Sequence, residues 1–109
     1  MRAVFTMDRS RRPGTVYHPG MRPVRIPIEH TIDLHAFNPR DVASVVEEYV
    51  TAALAAGFAE VRIVHGRGRG VQRRIVRGVL ARHPAIVDFN DAPDAHLGAT
   101  VARLKVEDG

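Results

Sequence analysis

The chain has 109 residues, of which 45% are hydrophobic and 26% are charged, and this composition fits one globular domain with a small core rather than a disordered or fibrous protein. The sequence contains no cysteine, which excludes disulfide bonds and thiolate metal sites, and it contains no apolar run of about 18 residues that would form a transmembrane helix. The net charge is +4, so positive charge matters mainly where it is concentrated. Because the N-terminal residues also lack the apolar segment of a signal peptide, we expect a cytoplasmic protein.

Arginine, proline and glycine dominate residues 1–25, and the few apolar residues there follow no regular pattern. A segment of this kind buries too little apolar surface to fold by itself. We therefore predict two parts of the chain, a flexible basic arm over residues 1–25 and a folded domain over residues 26–107. The arm either adds affinity for nucleic acid through its charge or is a solvated leader without a function.

The first firm strand is predicted at residues 31–35, where Ile32 and Leu34 alternate with polar residues. Side chains two residues apart point to the same side of a strand. Leu34 is therefore expected in the core, while Asp33 and His35 emerge together at the C-terminal end of the strand.

A helix is predicted to follow, with Asn38 as its N-cap, Pro39 at its first position and Gly57 just beyond its end. Residues 58–64 contain the second predicted strand. The helical prediction depends on apolar residues that recur at intervals of three and four, namely Val42, Val45, Val46, Tyr49, Val50, Ala53 and Leu54.

A glycine-rich segment, residues 65–70, joins the second strand to a second amphipathic helix that ends before Pro84. A turn of this kind leaves backbone N–H groups at a helix N-terminus, where an anion is favoured, and arginine adds a fork of donors suited to phosphate. The alternative is a tight connection whose glycines permit positive φ and whose arginines are merely solvated. The predicted phosphate-binding residues are His65, Gly66, Arg67, Gly68, Arg69 and Gly70.

Two further strands are predicted, at residues 85–89 and 98–106, with a polar loop between them. The order β-α-β-α-β-β predicts a compact two-layer α/β sandwich, with a mixed four-stranded sheet and two helices. The first two strands should be parallel and joined by a right-handed connection. Because the C-terminal ends of parallel strands meet at one edge of a sheet, Asp33 and His35 should lie beside residues 65–70.

Three segments together resemble the Smr (small MutS-related) domain, and the resemblance covers about residues 26–107. They read Ile-Asp-Leu-His at 32–35, Val-His-Gly-Arg-Gly at 64–68 and Gly-Ala-Thr-Val-Ala-Arg-Leu-Lys at 98–105. Their order and separation also match, and the chain is similar to the stand-alone bacterial kind. It departs from the common pattern at Ala36, where many members have glycine, and at Arg67, where lysine is usual.

The resemblance implies binding and cleavage of nucleic acid, since family members nick DNA or cleave RNA and some act on messenger RNA at stalled ribosomes. Asp33 and His35 match the Asp-Leu-His motif of the family, which is the candidate catalytic pair. Gly66 and Gly68 match its glycine loop, which contacts the phosphate backbone.

Phosphodiester cleavage needs a base for the nucleophile and positive charge for the charge that develops on the phosphate. His35 is predicted to be the base, since histidine exchanges protons near neutral pH. Asp33 either orients His35 or holds a divalent cation, and Mg²⁺ or Mn²⁺ is an open possibility because one Asp and one His do not complete a metal shell. The alternative is a structural pair in which the carboxylate caps a turn and bonds the histidine.

We therefore expect an endonuclease of the Smr type that nicks DNA or cleaves RNA with little base specificity. Nucleic acid is the expected partner, and ribosomes are a second one. The alternative is a catalytically inactive module that binds nucleic acid or ribosomes. A small-molecule phosphate enzyme is a weaker alternative, because it would require a deep, closed pocket that a domain of this size rarely has.

Overall fold

The computed structural model describes residues 3–6, 24–66, 70–96 and 98–106. Two short 3-10 turns, Leu34–Ala36 and Pro39–Asp41, precede the first helix. Among the described residues, no helix is both long enough and apolar enough to cross a membrane. The elements in chain order are β1 (Ala3–Thr6), β2 (Val24–Pro27), β3 (Thr31–Asp33), α1 (Val42–Ala55), β4 (Glu60–Val64), α2 (Val71–Arg82), β5 (Ile86–Asp91) and β6 (Ala99–Leu104).

Four strands form the main sheet, in the order β3-β4-β6-β5. Strand β3 runs parallel to β4, whereas β6 is antiparallel to both of its neighbours, β4 and β5. The register pairs Asp33 with Val64 at the C-terminal end of both parallel strands. The predicted β-α-β-α-β-β order with a mixed four-stranded sheet and two helices is confirmed.

The core lies between the two helices and one face of the sheet. The helices contact each other, and α2 also contacts β5 and β6. In β4 the alternation is clear, since Val61 and Ile63 are buried whereas Glu60 is exposed. The largest side chains that the core buries almost completely are Tyr49, Leu34, Ile63, Leu80, Val42, Val45, Val46, Val50, Val61 and Val76.

Both ends of the first helical segment follow the predicted signals. The side chain of Asn38 accepts a hydrogen bond of 3.1 Å from the Arg40 N–H, which caps a 3-10 turn that passes directly into α1. At the other end Gly57 has a φ of 82°, a left-handed conformation that favours glycine. Its N–H donates to the Leu54 carbonyl, and the Phe58 N–H donates to the Ala53 carbonyl, so two carbonyls of the last turn of α1 are satisfied.

One local prediction is corrected by the structure. The first strand ends at Asp33 rather than at residue 35, because the Asp33 carboxylate accepts a hydrogen bond from the His35 N–H and so starts a 3-10 turn.

The N-terminal segment contributes a second, two-stranded sheet in which β1 pairs with β2 in parallel. The Phe5 ring packs edge-to-face against Tyr49 of α1, with 5.3 Å between ring centroids. At Ala3–Thr6 the structure therefore differs from the predicted flexible arm. The prediction used the composition of the whole segment, which does not reveal that one aromatic side chain, Phe5, anchors a short strand. Residues 7–23 of that arm lie outside the described residues, and the predicted division at residue 25 stays a prediction.

Candidate functional site

Asp33 and His35 lie together, but a turn rather than a strand face brings them together. The Asp33 Oδ1 atom accepts a hydrogen bond of 2.9 Å from the backbone N–H of His35 and lies 3.8 Å from its Nδ1 atom. Leu34, between them, is completely buried and anchors the turn to the core. The side chains of Asp33 and His35 are 63% and 87% exposed, so a large substrate can reach both.

The sheet places this turn beside the glycine-rich loop. Because Asp33 pairs with Val64 in the parallel register, the chain leaves both strands at the same edge, towards His35 on one strand and towards His65 and Gly66 on the other. Neighbouring strands are about 4.8 Å apart. The two segments therefore start from adjacent positions, as their spacing in the sequence predicts.

The His65 imidazole is buried and connects the start of the glycine-rich loop to β6. The residue is only 7% exposed, and its Nδ1 atom lies 2.9 Å from the Gly66 carbonyl oxygen while its Nε2 atom lies 2.9 Å from the Thr100 hydroxyl. A carbonyl oxygen only accepts, so Nδ1 donates, and in the neutral ring Nε2 accepts from Thr100. Direct contact between His65 and a phosphate, as the sequence predicts, would require one of these hydrogen bonds to break.

Gly66 shapes the loop. Its φ is 79°, which favours glycine. The backbone N–H groups of His65 and Gly66 both donate to the Gly98 carbonyl, at 3.0 and 2.9 Å. The Gly66 N–H, which the sequence analysis placed among the phosphate donors, is thus engaged with the segment that leads into β6.

The start of α2 is the part of the loop region that suits an anion. Gly70 also has a left-handed φ, of 78°, and it offers no side chain to cap the helix. The Arg74 N–H donates to the Gly70 carbonyl at 3.0 Å, so the N–H groups of Val71, Gln72 and Arg73 have no acceptor within the helix. Such groups favour a bound phosphate.

The other three predicted phosphate-binding residues lie outside the described residues. They are Arg67, Gly68 and Arg69. Their contacts with nucleic acid stay predictions.

An acidic residue that the sequence analysis did not assign fixes two arginines of α2. Asp91 accepts hydrogen bonds of 3.0 and 2.8 Å from Nε and Nη2 of Arg73, and an Arg77 nitrogen lies 3.5 Å away. The Arg77 guanidinium also lies 5.0 Å from the centroid of the Phe89 ring. The hydrogen bonds from Arg73 lower the pKa of Asp91. Arg73 and Arg77 are four residues apart on one helix face, which is a sequence signal for a shared partner.

Thr100 is the second residue that sequence reasoning missed. It is fully buried in β6, and its hydroxyl bonds the His65 ring. In the sequence Thr100 is a single hydroxyl residue within an apolar strand, and this pattern does not indicate which residue the hydroxyl bonds.

The residues before Gly98 form ion pairs rather than a ligand cluster. Arg62 donates to Asp94 at 3.1 Å and lowers the pKa of that carboxyl. His96 has a left-handed φ of 48°. Among the described residues there is no group of three or more His, Asp or Glu side chains that could hold a metal ion.

Comparison with known proteins places these features in a family. The Smr domain profile matches residues 32–105. Endonuclease MutS2 of Caldicellulosiruptor bescii is 36% identical over 80 residues, which are 72% of this chain and 10% of that protein. Endonuclease MutS2 of one Helicobacter pylori strain is 33% identical over 73 residues, which are 67% of this chain and 9% of that protein. The chain thus spans about a tenth of the length of these relatives.

Two solved structures have the same fold. The crystal structure of the Smr domain of Thermus thermophilus MutS2 matches with a TM-score of 0.66 and 29% identity, over 71% of this chain and 99% of that one. YdaL of Escherichia coli, a stand-alone small MutS-related protein, matches with a TM-score of 0.58 and 25% identity, over 70% of this chain and 64% of that one. The profile match over residues 32–105 includes Asp33, His35 and the glycine-rich loop, and the chain belongs to the Smr domain family.

Proposed function

We propose that this protein is a nucleic-acid-binding endonuclease of the Smr type, which cleaves phosphodiester bonds in DNA or RNA. The observation that carries the proposal is the parallel register of β3 and β4, which starts the Asp33–His35 turn and the glycine-rich loop from the same edge of the sheet. Family membership supports it, because relatives of this region belong to proteins named endonuclease MutS2.

In this proposal His35 accepts the proton of the nucleophile, which is a water molecule or, in RNA, the adjacent 2′-hydroxyl. The bond from phosphorus to the leaving oxygen breaks, and that oxygen takes a proton from solvent. The His35 imidazole is largely exposed, so a phosphodiester on the surface can approach it. Asp33 is the positioning residue, because its carboxylate is fixed by the His35 N–H and lies 3.8 Å from the ring nitrogen Nδ1. A small rotation of the imidazole brings this pair within hydrogen-bond distance and leaves Nε2 to act as the base.

The phosphate is held by backbone donors and arginines. The first N–H groups of α2, together with Arg67 and Arg69, supply positive charge for the charge that develops on the phosphate oxygens. Contacts of this kind position a substrate but carry no base sequence. Little base specificity follows from this arrangement.

A divalent cation has one carboxylate to bind at this site. Asp33 would be a single protein ligand, and Mg²⁺ or Mn²⁺ held there would keep most of its water and depend on the substrate phosphate. Among the described residues, no group of three or more His, Asp or Glu side chains could complete the shell of such an ion.

The second candidate function is a binding module that delivers a partner to nucleic acid or to ribosomes without cutting. One observation favours it: the Asp33 carboxylate caps a turn, which is a sufficient structural reason for the residue. The two functions differ in the expected effect of changing His35. An endonuclease should lose cleavage, whereas a binding module has no cleavage to lose.

The test is cleavage of labelled single-stranded RNA and of supercoiled plasmid by the purified protein, with and without Mg²⁺ or Mn²⁺. His35→Ala should reduce cleavage by about 10²–10⁴-fold while affinity changes little, because general-base catalysis contributes a factor of that order. Asp33→Asn keeps the acceptor for the His35 N–H but removes the charge, and it should also reduce cleavage.

Metal rescue distinguishes the two roles of Asp33, and cleavage by the parent protein decides between the two candidate functions. Partial rescue of Asp33→Asn by extra Mn²⁺ would identify Asp33 as a metal ligand, whereas no rescue supports its role in orienting His35. If the parent protein binds both nucleic acids and cuts neither, the endonuclease proposal fails and the binding module takes its place.

A further inference from the structure

An open cleft of about 510 Å³ adjoins the Asp33–His35 turn. Its interior is apolar, with contributions from β2, β3 and α1. Exposed polar residues, Glu29, Thr31 and Asp33, lie at its rim. The apolar lining includes Phe5, Ile26, Ile32, Phe37 and Tyr49.

We propose that this cleft binds an unpaired nucleobase of a nucleotide next to the cleaved phosphate, and that it thereby makes the protein selective for single-stranded or locally unpaired nucleic acid. This inference rests on the proposed function, because Asp33 belongs both to the cleft and to the candidate catalytic pair. It adds a substrate class that neither the family nor the phosphate loop defines.

The turn that carries His35 also positions an aromatic ring in the cleft. The Phe37 N–H donates to the Leu34 carbonyl at 3.1 Å and closes the turn, and the Phe37 side chain is half-buried against the core. Aromatic rings stack with any base, since every base has a π-face. A base that stacks on Phe37 would therefore lie next to the turn that carries His35.

The remaining rings of the cleft are fixed in place. Phe5 packs edge-to-face on Tyr49, and the Tyr49 hydroxyl donates a hydrogen bond of 2.5 Å to the Glu29 carbonyl. Burial, with a smaller effect of the Glu29 carboxylate, raises the pKa of Tyr49, so this hydroxyl remains a donor at neutral pH. A preformed apolar cleft loses little side-chain entropy when a planar group enters it.

The charge at the rim favours a base over a phosphate. The described residues that line the cleft include two carboxylates, on Glu29 and Asp33, and no basic side chain. Carboxylates repel an anionic group but accept hydrogen bonds from the amino groups of nucleobases. The sugar and phosphate would remain outside, towards the loop and the start of α2.

A base in a duplex cannot enter such a cleft unless it first leaves its stack. Unpairing and unstacking require a few kcal/mol in general, and least where the base is already single-stranded. The cleft thus selects unpaired substrates without reading their sequence.

The test measures binding by fluorescence anisotropy, with a labelled short oligodeoxyadenylate, the same backbone carrying abasic sites throughout, and a duplex of equal length. The parent protein should bind the abasic strand about 5- to 100-fold more weakly than the oligodeoxyadenylate, as expected for the loss of stacking on an aromatic ring. The duplex should also bind more weakly than the single strand.

Variants of Phe37 link this effect to the cleft. Phe37→Ala and Phe37→Leu should both weaken binding of the oligodeoxyadenylate by a similar factor and leave binding of the abasic strand unchanged. Val87→Ala, which truncates an exposed apolar side chain of β5, is the matched control and should alter neither affinity. Melting curves establish that each variant is folded.

The outcomes separate this inference from the proposed function. Equal affinity of the parent protein for the normal and abasic strands overturns the base site, whatever the Phe37 variants do, and leaves the endonuclease standing if cleavage is observed. Base-dependent binding that Phe37→Ala removes, without any cleavage, supports the cleft and overturns the endonuclease, whereas base-dependent binding that Phe37→Ala leaves unchanged overturns the cleft. Failure to bind any nucleic acid overturns both.

Discussion

At the residue scale, His65 and Thr100 show how buried side chains hold the start of the glycine-rich loop. The imidazole joins the Gly66 carbonyl to the Thr100 hydroxyl, and the Gly98 carbonyl accepts from two N–H groups of the same loop. These hydrogen bonds connect the end of β4 to β6. The positions of His65 and Gly66, the first two residues of the glycine-rich loop, are therefore set by the core.

This arrangement predicts the effect of removing one hydroxyl. Thr100→Val preserves shape but leaves the buried Nε2 atom of His65 without its partner, and it should lower the free energy of unfolding by about 1–3 kcal/mol. Urea denaturation measures the change. Thr100→Ser retains the hydroxyl and should recover most of the loss, and equal losses for the two variants would contradict a role for the hydrogen bond.

At the element scale, the N-terminal end of α2 concentrates positive charge. Arg73 and Arg77 are held by Asp91, and the loop before the helix contains Arg67 and Arg69. Positively charged arginines attract an anion to the N-terminus of α2, where the first backbone N–H groups have no acceptor within the helix. In the proposed function, the loop and α2 supply the positive charge that binds phosphate, and the Asp33–His35 turn supplies the catalytic pair.

The loop arginines should supply affinity that depends on salt but not on sequence. Arg67→Ala combined with Arg69→Ala should weaken binding to all sequences alike and flatten the plot of log affinity against log salt by about two phosphate contacts. Arg82→Ala, at the other end of α2, removes one charge and should change the slope much less. An unchanged slope in the double variant would place the binding surface elsewhere.

Asp91 should make the stability of the fold sensitive to acid. Hydrogen bonds from Arg73 lower its pKa in the folded protein below the ordinary value of 3.8, so the folded state binds the proton less readily than the unfolded state does. The stabilisation is complete at pH above that ordinary value and is lost as the pH falls through the folded-state pKa.

Asp91→Asn should therefore reduce stability at neutral pH and flatten the loss of stability below about pH 4. Urea denaturation over a range of pH measures both effects. Glu47→Gln, which alters an exposed carboxylate of α1 away from this cluster, should leave the acid-dependent loss in place. A parent-like pH profile in Asp91→Asn would show that the ion pair does not stabilise the fold.

Periodicity and capping signals predict the elements of the main sheet and both helices, because these elements are determined by residues close in sequence. Local signals predict both ends of the first helical segment, namely Asn38 as N-cap, Pro39 at the first position and Gly57 just beyond the end. The Asp33 turn is different. The Asp33 carboxylate accepts a hydrogen bond from the His35 N–H and so ends the strand, and the alternation of apolar residues carries no signal for this hydrogen bond. Thr100 and Asp91 find their partners 35 and 18 residues away, which only the folded topology brings together.

At the scale of the whole molecule, the segment before residue 26 combines a packing contact with a group of arginines. Ala3–Thr6 pairs with Val24–Pro27, and Phe5 packs on Tyr49, so part of this segment adds to the folded body and to the cleft beside Asp33. The arginines between these two strands in the sequence add positive charge. Structural support and electrostatic attraction should respond to different substitutions.

The last prediction separates these two roles. Phe5→Ala should lower the free energy of unfolding by about 1–3 kcal/mol, less than a fully buried phenylalanine would, because the ring is only partly buried. Replacing Arg9, Arg11 and Arg12 by glutamine should leave the melting temperature unchanged and weaken nucleic-acid binding at low salt, with the difference vanishing as salt screens the charges. Melting curves and a salt titration of affinity measure the two effects on the same samples. If Phe5→Ala melts like the parent protein, the β1–β2 sheet adds nothing to stability, and if the triple variant keeps its low-salt affinity, the arm is a solvated leader.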